Sequence, residues 1–137
     1  DSKKAYEILC NTTVLPAICG RICPHEKQCE GNCIRGIKGE PVSIGAMEAY
    51  IGDLSIENNY ELSIEVDERA KDKSVAVIGS GPAGLTCAAF LARKCVKVTI
   101  YEKHDKLGGL LTHGIPEFRL PREVVEKTIE KITPIRV

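Results

Sequence analysis

Four cysteines lie close together near the start of the chain, and their thiols are the groups best suited to bind a metal. Cys19, Cys23, Cys29 and Cys33 fall within fifteen residues, and Pro24 directly follows the second of them. Tight cysteine spacing with a Cys-Pro pair is typical of thiolate ligation of iron–sulfur clusters. Clustered thiolates also suit tetrahedral zinc, although zinc sites more often contain C-x2-C pairs. The spacing favours a cluster and leaves zinc and structural thiols as alternatives.

A glycine-rich segment in the second half could hold a phosphate group. Residues 79–84 read Gly-Ser-Gly-Pro-Ala-Gly, follow the apolar run 75–78 and precede a helical pattern. Glu102 stands at the end of a second apolar run, 96–101. A G-x-G-x-x-G segment between a strand and a helix, with an acidic residue at this distance, is the pattern of a dinucleotide-binding βαβ unit. The alternative is a glycine-rich turn in an ordinary α/β domain.

Each conspicuous residue of this pattern has a physical role. Gly79 permits the tight turn, Gly81 lets the backbone approach a pyrophosphate, and Gly84 lets the helix pack close to the strand. The helix N-terminus offers free N–H groups and a positive dipole end to the phosphates. Glu102 can accept hydrogen bonds from a ribose. Gly108 and Gly109 follow Glu102 after five intervening residues. This Gly-Gly turn resembles the one beside FAD in the flavoprotein reductases, and it favours FAD over NAD.

Hydrophobic periodicity and turn residues predict the elements that must position these residues. Ser43 is expected to cap a helix whose buried face carries Ile44, Met47, Ile51 and Leu54. Cys87 is expected to be a packing residue of the nucleotide-binding helix. Both strands are rich in Val and Ile, as buried parallel strands are. The full set of predictions is a short helix at 3–9, irregular chain at 10–42, a helix at 44–56, a polar connector at 57–73, strand 74–79, helix 82–94, strand 96–102, and a last helix opened by Pro121 with Val124, Val125, Thr128, Ile129 and Ile132 on one face.

Composition excludes several classes of function. The net charge is +0 and the pI about 7.0, so the chain carries no signature of nucleic-acid binding. No apolar run approaches the roughly 18 residues of a membrane span. The start has no apolar core region of a signal peptide, and a cytoplasmic protein is expected. His25, His104 and His113 have no metal-ligand spacing and are expected at the surface or in loops.

Five motifs in order give the chain a family resemblance. It resembles the small (beta) subunit family of NADPH-dependent glutamate synthases, and it is similar to the N-terminal region of dihydropyrimidine dehydrogenase and to the large subunit of NADH-dependent ferredoxin:NADP oxidoreductases. The resemblance implies a mixed fold. A helical, cysteine-rich iron–sulfur domain (1–73, with its connector) is followed by the first βαβ part of a Rossmann-like FAD-binding domain (74–137). The motifs are residues 19–24, 29–33, 42–48, 77–85 and 114–121.

The resemblance also implies a set of metal ligands. Cys23, Cys29 and Glu48 are expected on one 4Fe-4S cluster and Cys33 on a second, whereas the position of Cys19 is usually not a ligand. Four further cysteines precede this region in the family. Each cluster is therefore expected to be incomplete in this chain alone.

For the flavin, the resemblance implies a set of contacts around the glycine loop. The backbone of Gly81, Pro82, Ala83 and Gly84 is expected to hold the pyrophosphate, after the turn at Gly79, and Glu102 the adenosine ribose. The rest of the FAD is expected against Lys103 through Leu110, which includes Gly109, and against Arg119.

The resemblance implies an oxidoreductase that carries electrons from NADPH through FAD and 4Fe-4S clusters to a partner subunit or domain. The NADPH site is expected outside this chain, and no residue is expected to be catalytic. The chain alone is expected to be inactive, and either to self-associate or to be partly disordered after Gly108. The alternatives are a zinc-binding interaction module fused to a nucleotide-binding unit, the electron-transfer subunit of a ferredoxin:NADP oxidoreductase, and a plain NAD-binding dehydrogenase.

Overall fold

The computed structural model describes residues 1–70 and 72–135. A helical first half is followed by a strand–helix–strand unit and further helices, so the predicted fold class is confirmed. Three single turns of 3-10 helix lie at His25–Lys27, Ile34–Ile37 and Thr133–Ile135. The principal elements are α1 (Ser2–Leu9), α2 (Pro16–Ile22), α3 (Ile44–Glu57), β1 (Ser74–Ile78), α4 (Pro82–Arg93), β2 (Lys97–Tyr101), α5 (Leu110–His113) and α6 (Arg122–Ile132).

Strands β1 and β2 form a parallel pair joined by α4, as predicted. Their register runs from Ser74 opposite Lys97 to Ile78 opposite Tyr101. Helix α4 covers one face of the pair with small and medium side chains, and the opposite face is open. Ile78 is 82 % exposed and Tyr101 59 % exposed. The expectation that both strands are buried is therefore wrong for the open face, because the described part of the chain supplies a covering helix on one side of the pair only. The covering side chains of α4 are Leu85, Ala88, Ala89 and Ala92.

The cysteine-rich segment contains a helix that the sequence pattern did not predict. Helix α2 begins at Pro16, a residue suited to the first turn because its missing N–H has no helical partner there. Helices α2 and α3 then pack through glycine. A Cβ on Gly20 would lie 2.3 Å from the backbone nitrogen of Ala49, and a Cβ on Gly52 would lie 2.3 Å from that of Ala17. These distances leave no room for a side chain between the two backbones.

This close approach reverses the predicted buried face of α3. Gly45, Gly52 and Ser55 are its buried residues, whereas Met47 is 60 % exposed and Ile44 36 % exposed. The apolar stripe assigned to the core is thus wrong for these two large side chains. Small residues face α2 because the helix axes are too close for large ones.

A single hydrophobic core connects the two halves. It runs from Tyr6 and Ile18 in the first half, through Leu62 in the connector, to Leu85 in α4 and Ile132 in α6. The connector at 57–73 is therefore more than a polar link, since Leu62 is 5 % exposed. The predicted face of the last helix is confirmed, with its buried positions at Val125, Thr128, Ile129 and Ile132.

Candidate cofactor sites

A cavity of about 520 Å³ opens at the carboxyl ends of the two strands. Ligands of open parallel sheets bind at this edge, and the volume falls within the range of small-molecule sites. Gly79 turns the chain from β1 toward α4 with a φ of 92°, a conformation that favours glycine. The cavity is lined by Ile78, Gly79, Gly81, Tyr101, Glu102, Lys103, His104, Gly109, Leu110, His113 and Gly114.

Three glycines shape this cavity as a phosphate cradle. A Cβ added to Gly81 would meet no atom within 4 Å, so the space beside this residue is open. A Cβ on Gly84 would lie 2.0 Å from the carbonyl oxygen of Gly79, and one on Gly109 would lie 2.9 Å from the Cα of Gly81. The loops therefore touch backbone to backbone and leave bare backbone beside the N-terminus of α4. This geometry fits the pyrophosphate of a dinucleotide.

The carboxylate of Glu102 is held by three hydrogen bonds at the edge of the cavity. Its Oε2 accepts from the Ser80 hydroxyl at 2.6 Å and from the Ser80 backbone N–H at 2.9 Å, and its Oε1 accepts from the His104 backbone N–H at 3.0 Å. These bonds, with the Ser80 hydroxyl first, lower the pKa of Glu102 to about 2. The carboxylate is thus ionised and held in a fixed orientation at the edge of the cavity.

Ser80 is a functional residue that the sequence pattern missed. It occupies a variable position of the glycine motif, yet its side chain is fully buried. Besides donating to Glu102, its Oγ accepts from the Gly108 backbone N–H at 3.0 Å. One hydroxyl therefore connects the glycine loop, the end of β2 and the Gly-Gly turn. The sequence feature that could have indicated this role is a serine inside a strand-to-helix turn.

The Ser80 network predicts a pH-dependent stability. Because the pKa of Glu102 is lower in the folded chain than its ordinary value of 4.5, the ionised carboxylate stabilises the fold above that pH, and this contribution is lost as the pH falls toward about 2. Ser80→Ala removes the hydroxyl donor and should raise the pKa of Glu102 toward its ordinary value. The Tm difference between parent and variant should be largest above about pH 5 and narrow at lower pH.

Ser55→Ala is the matched control for Ser80→Ala. The Ser55 hydroxyl is also buried and donates to the Gly52 carbonyl at 2.7 Å, but no carboxylate is involved. Its Tm shift should be the same at every pH. A Ser80→Ala shift that is equally constant from neutral pH to about pH 3 would contradict the role of the hydroxyl in holding the carboxylate.

The structure gathers some, but not all, of the residues predicted to contact FAD. Seven of them line the cavity. Pro82, Ala83 and Gly84 lie in the first turn of α4, where their backbone can contribute, but they are outside the lining, and Arg119 is exposed and also outside it. The rings of His104 and His113 contact each other at the cavity, with their centroids 4.7 Å apart and their planes tilted by 43°, which the spacing did not predict. Residues 105–108 are also outside the lining. The seven lining residues are Gly79, Gly81, Glu102, Lys103, His104, Gly109 and Leu110.

The four clustered cysteines differ in environment. Burial raises the pKa of the Cys19 thiol to about 11, so this residue stays protonated at neutral pH. Cys29 is exposed, and its Sγ lies 3.4 Å from Nδ1 of His25. The other ring nitrogen of His25 lies 3.1 Å from the Cys19 carbonyl oxygen. Desolvation raises the pKa of Glu48, which the nearby charge of His25 partly offsets.

Cys33 lies in a setting that stabilises a thiolate. Its Sγ accepts a hydrogen bond from the Val42 backbone N–H at 3.5 Å. This N–H and those of Arg35 and Gly36 lower the pKa of the Cys33 thiol. A cysteine binds a metal as its thiolate, and backbone N–H groups around the sulfur also tune the potential of an iron–sulfur cluster. The donor chemistry at Cys33 therefore fits a cluster.

The described residues do not by themselves assemble a metal site. Within residues 1–70 and 72–135, no three His, Cys, Asp or Glu side chains come together in a way that could hold a metal ion. The predicted ligands Cys23, Cys29 and Glu48 therefore do not converge on one point. Their chemistry suits a cluster, whereas their arrangement in this chain does not complete one.

Comparison with known proteins agrees with this division into two kinds of site. Residues 1–60 match the family described as dihydropyrimidine dehydrogenase domain II, 4Fe-4S cluster. Residues 77–127 match the family described as NAD(P)-binding Rossmann-like domain. The chain thus joins a domain of an iron–sulfur family to the start of a Rossmann-like nucleotide-binding domain.

Individual relatives give a more specific comparison than the two domain families. The chain is 41 % identical over 130 residues to the glutamate synthase [NADPH] small chain of Escherichia coli (strain K12), a match to 95 % of this chain and 27 % of that protein. It is 42 % identical over 130 residues to the same subunit of Azospirillum brasilense, covering 93 % of this chain and 27 % of the relative. A NAD-dependent dihydropyrimidine dehydrogenase subunit PreT homolog of Salmonella typhi is 37 % identical over 135 residues, which are 98 % of this chain and 32 % of that protein.

The chain is therefore a homologue of the glutamate synthase small chain, and the resemblance drawn from the ordered motifs is confirmed. It spans about a quarter of the length of the small chains it matches. In the part of the chain that the structure describes, we find no helix with the length and apolar character needed to cross a membrane.

Proposed function

We propose that this chain is part of an FAD- and iron–sulfur-dependent oxidoreductase that passes electrons from NADPH to a partner subunit. The observation that carries the proposal is the position of the phosphate cradle. The half of the chain that carries the cradle shares one hydrophobic core with the cysteine-rich half, so that a nucleotide cofactor and a metal-binding region belong to one folded unit. Flavin accepts a hydride and releases electrons singly, and iron–sulfur clusters accept single electrons, so the pair can join two-electron to one-electron chemistry.

FAD, rather than NAD(P), is the cofactor we assign to the cavity. The support is the Gly108-Gly109 turn, which resembles the Gly-Gly turn of the flavoprotein reductases. This turn packs directly on the glycine loop through Gly109 and Gly81. The Ser80 hydroxyl donates a hydrogen bond to Glu102 and accepts one from the Gly108 N–H of the same turn. In this proposal Glu102 accepts from the adenosine ribose, and the N-terminus of α4 carries the pyrophosphate. The NADPH site lies outside the chain.

In this proposal each half of the chain contributes to a different cofactor site. Residues 1–73 form the iron–sulfur part with its connector, and residues 74–137 the first segment of the FAD-binding domain. Cys23, Cys29 and Glu48 serve one cluster and Cys33 the other, each completed by ligands outside this chain. The open face of the strand pair, with Ile78 and Tyr101 exposed, is expected to make the 137-residue chain self-associate when it is produced alone.

Spectroscopy with metal analysis tests the proposal. The full-length protein, purified anaerobically, should contain flavin and iron, absorb broadly in the visible range, and reduce a dye with NADPH. The 137-residue chain alone should show no NADPH-dependent dye reduction. Full-length protein with zinc and no visible absorption would instead support a zinc-binding interaction module, and bound NAD without flavin would support a plain dehydrogenase.

A further inference from the structure

Helix α4 ends in a buried charge that cofactor binding does not explain. The side chain of Arg93 is 3 % exposed, although it lies at the opposite end of α4 from the phosphate cradle. Burial of a guanidinium is costly unless its donors are satisfied. The bonds it makes therefore indicate what this charge does.

The guanidinium of Arg93 joins α4 to two segments of the other half. Its Nη1 donates to the carbonyl oxygen of Cys10, at the end of α1, at 2.5 Å. Its Nε donates to the Ser63 carbonyl at 2.8 Å and its Nη2 to the Ser63 hydroxyl at 2.9 Å, within the connector. Glu65 pairs with the guanidinium at 3.3 Å, and its backbone N–H donates to the Arg93 carbonyl at 2.7 Å.

Lys131 makes a second connection of the same kind. Its Nζ donates to the Ser55 carbonyl at 2.9 Å and to the Tyr60 carbonyl, so α6 is bonded to the end of α3. Its ammonium also lies 5.3 Å from the ring centroid of Tyr6 in α1. Two cations from the nucleotide-binding half thus bond to backbone carbonyls at the ends of helices in the cysteine-rich half.

We propose that Arg93 is a positioning residue that fixes the cysteine-rich half against the nucleotide-binding half, and so sets the placement of the cysteine loops relative to the cofactor cradle. The shared apolar core favours contact but is non-directional. The planar fork of Arg93 has defined donor directions and specifies one arrangement. This inference rests on the proposed function in one respect: electron transfer between the two halves depends on their separation.

The test compares Arg93→Lys and Arg93→Met with Lys94→Met in the full-length, cofactor-loaded protein. Lys94 is the matched control, because its exposed Nζ lies 3.8 Å from the same Glu65 carboxylate but bonds to neither Cys10 nor Ser63. The first measurement is hydrogen exchange in α1 and in residues 58–66. Loss of charged hydrogen bonds should speed exchange there about tenfold or more in Arg93→Met, and less in Arg93→Lys.

The second measurement separates positioning from general damage. NADPH-driven reduction of ferricyanide, which can take electrons directly from flavin, should stay near the parent rate in Arg93→Met. Electron delivery to the partner subunit should fall, and Arg93→Lys should restore part of it. Lys94→Met should match the parent in both measurements.

Three results would overturn the proposal: unchanged exchange in Arg93→Met, an equal fall of both electron-transfer rates, or an effect of Lys94→Met as large as that of Arg93→Met. If Arg93→Met does not fold, Arg93→Lys decides. Parent-like exchange and an unchanged ratio of the two rates in that variant overturn the proposal, and faster exchange with a lowered ratio supports it. A parent protein without flavin would instead refute the proposed function, and the exchange measurement would still test Arg93.

Discussion

Gly81→Val in the full-length protein should abolish FAD retention while leaving the fold intact. The space around a Cβ at Gly81 is empty to 4 Å, so the valine meets no protein atom close to its backbone. That empty space belongs to the cavity in which the pyrophosphate must contact the backbone. A side chain there excludes the phosphate from the N-terminus of α4, and we expect FAD affinity to fall by about 100-fold or more. Flavin content after gel filtration and calorimetric titration with FAD measure the effect.

Two other glycines separate loss of the cofactor from loss of the fold. Gly84→Ala places a Cβ 2.0 Å from the Gly79 carbonyl oxygen, so the turn must shift and the Tm should fall even without FAD. Gly39→Ala, in the cysteine-rich half, meets only the Arg35 carbonyl at 3.9 Å and should keep both FAD and the parent Tm. Purification of Gly81→Val with stoichiometric FAD would show that this loop does not hold the pyrophosphate.

The parts of the fold that the sequence predicts well are those with strong local signals. The glycine motif between two apolar runs determines β1, α4 and β2 within one or two residues, because each element carries its own periodicity and turn residues. Glu102 follows from the same spacing, and the structure places it at the cavity. The last helix was also predictable, since its apolar stripe and Pro121 are both local features.

The parts that the sequence pattern missed depend on contacts between distant segments. The buried face of α3 follows from Gly20 and Gly52, which bring two helices so close that Met47 is excluded from the interface. Cys87 was expected to pack in the core but is exposed, because the neighbouring positions of α4 face the strands. The hydroxyl of Ser80 acquires its role only when three loops meet, which no local periodicity records.

The cysteines form an intermediate case. Their spacing predicts thiolate chemistry, and the lowered pKa of Cys33 and raised pKa of Cys19 show that the fold separates them into different environments. Which sulfurs share one cluster does not follow from spacing, because the ligands must converge from several loops. Mutation of single cysteines combined with metal analysis is therefore the test of which ligands share a cluster.

Cys33→Ser in the full-length protein should remove one cluster, or about four of roughly eight irons per chain. A serine hydroxyl is far less acidic than a thiol. The backbone N–H of Val42, which bonds to the Cys33 sulfur at 3.5 Å, cannot supply the missing soft ligand. The cluster that does not use Cys33 should remain, because in our assignment its ligands from this chain are Cys23, Cys29 and Glu48. Iron and sulfide assays on anaerobically purified protein, with spectra of the reduced form, measure the loss.

Cys87→Ser is the control for this prediction, because Cys87 is an exposed thiol on α4, in the nucleotide-binding half. It should keep all the iron and all the FAD, which shows that loss of a thiol as such does not empty the metal sites. Cys29→Ser should also lose about four irons, but from the other cluster, so the two variants should leave different spectra behind. A full iron content in Cys33→Ser would remove this residue from the ligand set. Identical residual spectra in Cys33→Ser and Cys29→Ser would place both cysteines on one cluster and overturn their assignment to two.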